Sequence, residues 1–253
     1  MPFMATARER LDQLLVQRGL AESRAKAQAL ILAGLVWSGQ RRLDKPGQSL
    51  APDAPVEVRG KPHPWVSRGG VKLAHGLAHF RIDPHGRIGL DLGASTGGFT
   101  DVLLQGGAAK VYAVDVGHGQ LDWRLRNDPR VVVLERTNAR HLSRVEVPEP
   151  VALIVCDASF IGLETVLPAA LALAAPEAHL LALIKPQFEV GPERVGKGGV
   201  VRDPALHGEV CARIAAWLER QPGWSVLGVT ESPLTGPEGN KEFLIGAAFH
   251  ARD

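Results

Sequence analysis

Hydrophobic and polar positions follow two different patterns along this chain. In the first sixty residues, leucines recur at helical spacing in "RERLDQLLVQRGL", where Gly19 predicts the end of a helix. Ser23 predicts the cap of a second helix, and the apolar pieces "GLVWSG" and "PVEVR" predict short strands. The pattern therefore predicts a small α+β domain over residues 1–60.

Apolar runs typical of buried strands dominate the rest of the chain. "RIGLDL", "KVYAV", "RVVVL", "VALIVC" and "LLALI" alternate with helical segments, which predicts an α/β domain over residues 67–253. Between them, "RGKPHPW" has two prolines and no periodicity, so residues 61–66 are interpreted as a linker. The second predicted domain opens with a helix near Ser67.

Composition narrows the class of protein. A chain of 253 residues with 45% hydrophobic content can bury a good core, and 29 basic against 27 acidic residues do not by themselves indicate a nucleic-acid partner. Two cysteines give no disulfide framework, and nine histidines lack metal-ligand spacing, so we expect no metal. The charged N-terminus and the absence of a long apolar run favour a soluble cytoplasmic protein without a membrane partner.

Positive charge is concentrated in the first domain. The simplest interpretation of this charge is a solvated helix face without a binding role. However, Arg18, Ser23, Arg24 and Lys26 surround one helix–helix turn before "AGLVWSGQ", which resembles the small RNA-binding domain named for the fourth protein of the small ribosomal subunit. That resemblance implies phosphate contacts with structured RNA. The candidate RNA-binding residues are Arg8, Arg10, Arg18, Arg24, Lys26, Arg41 and, beyond the linker, Arg68.

The segment "GLDLGASTGGFTDVLLQGGAAKVYAVDVG" predicts a strand, a glycine turn, a helix and a second strand that ends on Asp115. This is the nucleotide-binding βαβ arrangement, but its glycine spacing departs from the G-x-G-x-x-G of dinucleotide sites. The turn resembles instead the S-adenosylmethionine (SAM) loop of Rossmann-like methyltransferases. That resemblance implies a mostly parallel central sheet with helices on both faces, and SAM as the cofactor.

The SAM resemblance supplies a set of candidate cofactor contacts. Asp115 is expected to bind the ribose hydroxyls, and Asn138, just past a strand end, the adenine. Asp91 could alternatively close a buried turn, and Asp115 could cap a helix. The predicted set is Asp91, Gly93, Ser95, Thr96, Gly97, Gly98, Phe99, Asp115, Asn138 and Asp157.

A second glycine-rich segment, residues 191–198, is close to a phosphate-binding loop. Gly198 occupies the position at which Ser or Thr must meet magnesium, and no helix follows directly. We interpret it as a loop beside the site, with Lys197 and Arg202 as further candidates for RNA contact.

Charged residues end two of the apolar runs. Asp157 follows "VALIVC" and Lys185 follows "LLALI", and the carboxyl ends of parallel strands open toward one crevice. Lys72 lies early in a predicted helix, and Glu242 precedes the last strand. Singly, each is also typical of a surface ion pair.

In chain order, Lys72, Asp157, Lys185 and Glu242 resemble the K-D-K-E tetrad of FtsJ-type ribose 2′-O-methyltransferases. With the RNA-binding domain and the motifs "SRGGVKL", "DLGASTGGFTD", "CDASFI" and "IKPQFE", nearly the whole chain is similar to the TlyA family, often labelled haemolysin A. The resemblance implies SAM-dependent methylation of ribosomal RNA or ribosomal subunits, with cytidine as the usual target.

The charges of the tetrad suggest how it works. A ribose hydroxyl is a poor acid, so its attack on a methyl group needs a partner that accepts or stabilises its proton. By resemblance, Lys185 is that group, while Lys72 and Glu242 position the ribose. The two carboxylates are expected to orient the lysines and keep the cluster near neutral.

Three other functions are alternatives to methyl transfer. A membrane-lytic protein would fit the haemolysin label, but the sequence has no span or long amphipathic basic helix. A non-catalytic RNA-binding ribosome assembly factor is disfavoured by the intact tetrad. A nicotinamide dehydrogenase is disfavoured by the glycine spacing.

Overall fold

The structure is a computed structural model that describes residues 8–59, 63–236 and 239–251. The chain divides into two compact units, residues 1–64 and 65–253.

Over its described residues 8–59, the first unit combines two helices with five short strands. Ser23 caps the second helix as predicted, since its side chain accepts a hydrogen bond from Lys26 N at 3.2 Å. The elements are β1 (Glu9–Arg10), α1 (Leu11–Gln17), α2 (Arg24–Leu32), β2 (Val36–Ser38), β3 (Arg41–Arg42), β4 (Ser49–Leu50) and β5 (Glu57–Val58). The small core joins both helices to the strands and consists of Leu11, Leu15, Ala27, Ile31, Val36 and Leu43.

The second unit alternates helices and strands. Its elements are α3 (Gly69–Phe80), β6 (Ile88–Leu92), α4 (Gly98–Gln105), β7 (Lys110–Val114), α5 (Trp123–Arg126), β8 (Val131–Leu134), β9 (Val151–Cys156), α6 (Leu163–Leu171), β10 (Ala174–Ile184), α7 (Pro204–Glu219), β11 (Trp224–Glu231) and β12 (Phe243–His250). The apolar runs "RIGLDL" and "KVYAV" form β6 and β7, as predicted.

One seven-stranded sheet organises this unit, in the order β11-β12-β10-β9-β6-β7-β8. β10, β9, β6, β7 and β8 are parallel to one another, and β12 is antiparallel to both β10 and β11. The predicted α/β fold with a mostly parallel sheet is therefore confirmed. The carboxyl ends of the parallel strands share one edge, and β12 begins at that same edge.

The sheet is covered on both faces, which explains why its strands are apolar on both sides. α6 and α7 pack on one face, and α3 and α4 on the other. α3 approaches the sheet closely at Gly76, where a Cβ atom would lie 2.7 Å from Leu181 Cδ2 of β10. This close packing fixes the position of Lys72 relative to the sheet, because Lys72 lies one turn earlier on the same helix.

The start of the second unit differs slightly from the prediction. Trp65 and Val66, assigned to the linker, pack against the core of this unit, and Val66 N donates to Asp101 Oδ2 at 2.8 Å. The helix begins at Gly69 rather than Ser67. Residues 61 and 62 of the predicted linker lie outside the described residues.

Candidate active site

The glycine turn links β6 to α4 and brings the backbone close to the end of β9. Gly93 has φ +79°, and a Cβ atom there would lie 3.0 Å from Ala158 Cα. Ser95 also adopts a left-handed conformation, with φ 47°, and its N–H donates to Asp115 Oδ2 at 2.8 Å. The carboxylate that ends β7 therefore holds the turn in an otherwise unfavourable conformation.

Asp91 lies behind this turn rather than on its surface. Its side chain is fully buried, and Oδ2 accepts hydrogen bonds from Thr100 N at 2.9 Å and Thr100 Oγ1 at 2.7 Å. Burial raises the pKa of Asp91 to about 7. This carboxyl fixes the start of α4 from inside the protein, which agrees with the alternative of a buried turn, and its contact with a cofactor stays a prediction.

Gly97, another predicted cofactor contact, also lies away from the cavity walls. It has φ +95° and packs against α5, where a Cβ atom would lie 2.3 Å from Leu125 Cδ1. Neither Gly97 nor Asp91 lines the cavities described next. Both shape the turn from its inner side.

A first cavity of about 350 Å³ opens beside the turn. Asp115 and Asn138, the residues predicted to bind the ribose and the adenine of a cofactor, both lie on its wall. Asp115 Oδ1 accepts from Gly117 N at 2.7 Å, and Asn138 Oδ1 accepts from Arg140 N at 3.1 Å. The remaining wall is largely apolar and includes Val114, Val116, Ala139, Ala158, Phe160, Ile161 and Val166.

A second cavity of about 310 Å³ adjoins the first. The two share Gly93, Ser95, Asp157 and Ser159 on their walls. Three other residues predicted to contact the cofactor, Thr96, Gly98 and Phe99, line the second cavity. So do the four tetrad residues Lys72, Asp157, Lys185 and Glu242.

The tetrad forms two ion pairs. Lys72 Nζ lies 2.5 Å from Glu242 Oε2, with only 7% and 1% of the two side chains exposed. Lys185 Nζ lies 2.5 Å from Asp157 Oδ1, with 8% and 22% exposed. Each buried lysine therefore has its own carboxylate, as predicted for a near-neutral cluster.

Strand register explains why residues so distant in sequence meet here. Ile184 of β10 pairs with Phe243 of β12, so Lys185 and Glu242 are both next to that pair, at one edge of the sheet. β9 is parallel to β10 and ends at the same edge, which delivers Asp157. Lys72 reaches Glu242 from α3, across 170 residues of sequence.

Lys185 makes two contacts besides its ion pair. Nζ donates to the Asp157 carbonyl oxygen at 3.1 Å and to Ser159 Oγ at 2.9 Å. Ser159 was not predicted as a site residue, although it belongs to the quoted motif "CDASFI". Beneath it, Cys156 is fully buried, and burial raises the pKa of its thiol to about 12, so the thiol is no nucleophile.

Phe160 was also missed by sequence reasoning. Its side chain is 90% exposed at the mouth of the first cavity, and its φ of 64° is unusual for an aromatic residue. Its ring contacts Phe188, with the two ring centroids 5.0 Å apart. The chain thus presents an aromatic face to solvent beside the ion pairs.

The loop that carries Ser159 and Phe160 is fastened at both ends. At its start, Asp157 N donates to Leu92 O at 3.0 Å. At its end, Leu163 N donates to Glu189 Oε1 at 2.8 Å, and Arg213 donates to Glu189 Oε2 at 2.9 Å. Burial raises the pKa of Glu189. Because Glu189 follows β10 closely, one network supports both the loop and Lys185.

In the first unit, the structure shows how two predicted RNA-binding arginines are arranged. Asp12 is fully buried and accepts from Arg10 at 3.0 Å, from Arg24 at 2.8 Å and from Gln28 at 2.9 Å. Hydrogen bonding from Arg10 is the main reason that the pKa of Asp12 lies far below its usual range. Both arginine side chains stay about half exposed, at 45% and 53%.

The other predicted RNA-binding residues are exposed. Arg18 donates to the carbonyl oxygens of Pro52 and Ala54, and Arg8 donates to Ser49 O at 3.2 Å. Arg68 lies in the second unit, on the wall of the second cavity. The remaining two are Lys26 and Arg41.

The residues present fit an S-adenosylmethionine. The glycine turn brings backbone close to the first cavity, Asp115 offers carboxylate oxygens that can accept from ribose hydroxyls, and apolar walls suit an adenine ring. The second cavity extends the space toward the ion pairs. Among residues 8–59, 63–236 and 239–251, no group of three or more His, Cys, Asp and Glu side chains could hold a metal ion.

In the same described parts of the chain, no helix has the length and apolar character needed to cross a bilayer.

Family models match two parts of the chain. Residues 65–249 match the FtsJ-like methyltransferase family, and residues 9–56 match the S4 domain.

Similar proteins cover nearly the whole chain. It is 50% identical over 94% of its length to a Mycobacterium tuberculosis protein named 16S/23S rRNA (cytidine-2′-O)-methyltransferase TlyA, covering 89% of that protein. It is 39% identical to Hemolysin A of Brachyspira hyodysenteriae, over 93% of this chain and 98% of the relative.

Solved structures agree with the fold. One from Streptococcus thermophilus, provisionally named a hemolysin, is 40% identical with a TM-score of 0.75, covering 97% of this chain and 90% of its own. An O-methyltransferase from Bacillus cereus, solved with S-adenosylhomocysteine, is 20% identical with a TM-score of 0.51, covering 75% and 84%. The second likeness shows the methyltransferase fold alone.

Proposed function

Because the chain belongs to the FtsJ-like methyltransferase family and carries an S4 domain, we propose that it methylates the ribose 2′-hydroxyl of cytidine in ribosomal RNA. The observation that carries this proposal is the arrangement of two buried lysine–carboxylate pairs on a cavity that adjoins the cofactor cavity. The name of the M. tuberculosis relative supports the choice of ribosomal RNA and of the 2′-hydroxyl.

In this proposal the first cavity holds the adenosine of S-adenosylmethionine. Asp115 accepts from the ribose hydroxyls, Asn138 contacts the adenine, and the glycine turn lies against the amino-acid part. When bound, this cofactor supplies a methyl group on a sulfonium, which is already electrophilic. The protein therefore has to activate and align the acceptor hydroxyl rather than the methyl group.

Lys185 is the group assigned to that hydroxyl. In its neutral form, Nζ accepts the hydroxyl proton while the oxygen becomes methylated. Asp157 orients Nζ through two contacts, at 2.5 Å from Oδ1 and 3.1 Å from the carbonyl oxygen. The carboxylate also offsets the charge of the ammonium once the proton has arrived.

Lys72 and Glu242 are assigned to the ribose. Glu242 Oε1 is buried and makes no hydrogen bond within the described residues, so it can accept one from a bound hydroxyl. Lys72 Nζ donates to the other carboxylate oxygen, Oε2, at 2.5 Å, and this contact fixes both side chains. The second pair therefore acts as a rigid clamp that aligns the acceptor, where much of the acceleration is expected.

Three features support an RNA substrate. The S4 domain carries half-exposed arginines suited to phosphates, and Arg68 lies beside the second cavity. Phe160 presents an exposed ring on the wall of the first cavity and directly follows Ser159, which is bonded to Lys185, so an unstacked base can lie against this ring. Lys197 and Arg202, both exposed, are further proposed contacts.

The alternatives have less support. The lytic function rests on the names of relatives, whereas the family match, both cavities and both ion pairs fit methyl transfer. A non-catalytic assembly factor would have no need of two buried lysines, because removing charged groups from water costs free energy even when they are paired. As an enzyme of ribosomal RNA, the protein is proposed to work in the cytoplasm with ribosomal subunits as partners.

The test is transfer of labelled methyl from S-adenosylmethionine to ribosomal subunits that lack the modification, followed by mapping of any 2′-O-methyl nucleotide. Wild type is expected to label one or a few cytidine riboses. Lys185→Ala should lose on the order of a thousandfold in rate while it still binds cofactor and RNA. Wild type that binds both ligands and labels no ribose in either subunit would contradict the proposal.

A further inference from the structure

Ser159 is the only one of the three groups bonded to Lys185 Nζ that can either donate or accept a hydrogen bond. The carboxylate and the backbone carbonyl of Asp157 accept only, whereas a serine hydroxyl does both. The three contacts lie at 2.5, 3.1 and 2.9 Å.

This set of partners matches both protonation states of the lysine. An ammonium has three N–H donors and finds three acceptors. A neutral amine has two N–H donors and one lone pair, so it needs two acceptors and one donor. The hydroxyl of Ser159 supplies that donor by reversing its direction, without movement of the Nζ atom.

We propose that Ser159 is a positioning residue that keeps Lys185 bonded through both halves of its proton cycle. The inference rests on the proposed function, in which the acceptor O–H bond breaks and an N–H bond forms at Lys185. The resulting ammonium then returns its proton to water. Before the acceptor hydroxyl binds, Ser159 donates to the lone pair of Nζ. The bound hydroxyl takes this place while its proton moves to Nζ, and Ser159 then accepts from the resulting ammonium.

The fold holds Ser159 in place for this role. Its loop is fixed by Leu92 at one end and by Glu189 at the other, and Glu189 lies just beyond β10, whose end carries Lys185. Ser159 also lines both cavities, so its hydroxyl stands where the two substrates meet. An unfixed serine could not select one geometry for Nζ.

Other charged groups surround the same cavity and set the background for any pH dependence. They are Asp157 directly after β9, Arg68 before α3, Lys72 within α3, Glu242 before β12, and, behind the cavity wall, the thiol of Cys156 and the carboxyl of Asp91. Substitution of Ser159 leaves all of them unchanged, so a change in pH profile can be assigned to its hydroxyl.

The first measurement is methyl transfer as a function of pH for wild type, Ser159→Ala, Ser159→Thr and Ser225→Ala. Ser225 is an exposed serine on β11, remote from both cavities, and serves as the matched control. Ser159→Ala should lower kcat by about tenfold to a hundredfold because Nζ is less well placed. Its acidic limb should move to lower pH, since a contact to a charged donor is worth more than a neutral one.

Ser159→Thr keeps the hydroxyl and should stay within about threefold of wild type. The inference is overturned if Ser159→Ala keeps both the kcat and the pH profile of wild type. It is also overturned if Ser159→Thr loses as much kcat as Ser159→Ala.

A second measurement does not depend on activity. Acetylation of Lys185 by acetic anhydride, followed by mass spectrometry over a pH series, reports how much of the amine is neutral. The labelling curve of Ser159→Ala should move to lower pH, while that of Ser159→Thr follows wild type. Curves that superimpose would overturn the inference, even if the proposed RNA substrate proved wrong.

Discussion

Positive charge is handled in opposite ways by the two units of this protein. In the second unit, Lys72 and Lys185 are more than nine-tenths buried, and each has its own carboxylate. In the first unit, Arg10 and Arg24 are about half exposed and share the single buried Asp12. Burial with full neutralisation suits proton chemistry, whereas exposure with a net positive charge suits phosphate binding.

Removing one member of a buried ion pair should have the largest effect on stability. Glu242→Leu should leave the ammonium of Lys72 buried and unpaired, which costs about 3–5 kcal/mol and lowers Tm by about 10 °C. Lys72→Met combined with Glu242→Leu should recover most of that stability but no methyl transfer. Thermal unfolding and activity assays measure the two effects.

A matched surface pair provides the control. Lys241 and Glu231 lie 3.0 Å apart and are both about half exposed. Glu231→Leu should cost less than about 1 kcal/mol, because exposed ion pairs contribute little. A double variant of the buried pair that stays as unstable as Glu242→Leu would show that the two charges are not balanced against each other.

The exposed ring of Phe160 tests whether the second unit also binds RNA. Phe160→Ala should lower kcat/KM for RNA by about tenfold to a hundredfold, the loss expected for one stacked base. Phe160→Tyr should keep most of the activity. Trp123→Ala removes an aromatic residue that is 71% exposed and lines neither cavity, and it should have little effect. Equal losses in Phe160→Ala and Trp123→Ala would argue against a specific stacking site.

Substitution of an exposed arginine in the first unit should weaken RNA binding without changing the chemical step. Arg24→Gln is expected to raise KM for RNA by about threefold to tenfold at moderate salt, with kcat unchanged at saturating RNA. The dependence of log affinity on log salt should become shallower by about 0.7–0.9 for one lost phosphate contact. Arg130→Gln, at a half-exposed ion pair in the second unit, is the control. A fall in kcat alone would count against a binding role for Arg24.

The smallest effect concerns Asp91 and the pH dependence of stability. Its folded pKa of about 7 lies above the ordinary value of 3.8, so the folded protein keeps a proton that the unfolded chain releases. This stabilisation is complete below about pH 4 and is lost as pH rises through about 7. Asp91→Asn should therefore raise Tm relative to wild type by about 3–6 °C at pH 8, and less at pH 5. A Tm difference that is independent of pH would contradict this assignment.

The sequence predicted features that repeat along the chain or end an element. The central strands β6, β7 and β9 were visible because they are mostly buried on both faces and so are mostly apolar, as in "VALIVC". Lys185 and Asp157 were visible because a charge directly after such a run must lie at the edge of the sheet. The cap at Ser23 was visible from local chemistry alone.

Other site features depend on contacts that no local pattern records. Ser159 and Glu189 matter through a hydrogen bond to Lys185 and another to the backbone of Leu163. Nothing in the local sequence indicates that Asp12 is buried and accepts hydrogen bonds from both Arg10 and Arg24. Asp91 is a similar case, because sequence position does not say whether a carboxyl faces into the turn or away from it, and the structure shows it buried.

The pairing of β12 with β10 has a consequence for how the protein is made. Glu242 lies just before β12, which is added to the middle of the sheet, between β10 and β11. A ribosome that has finished the other six strands has therefore produced a chain with a cofactor turn but without the partner of Lys72. Catalytic competence should therefore arrive only when β12 is synthesised and inserted, and a stop codon placed between β11 and Glu242 should abolish it.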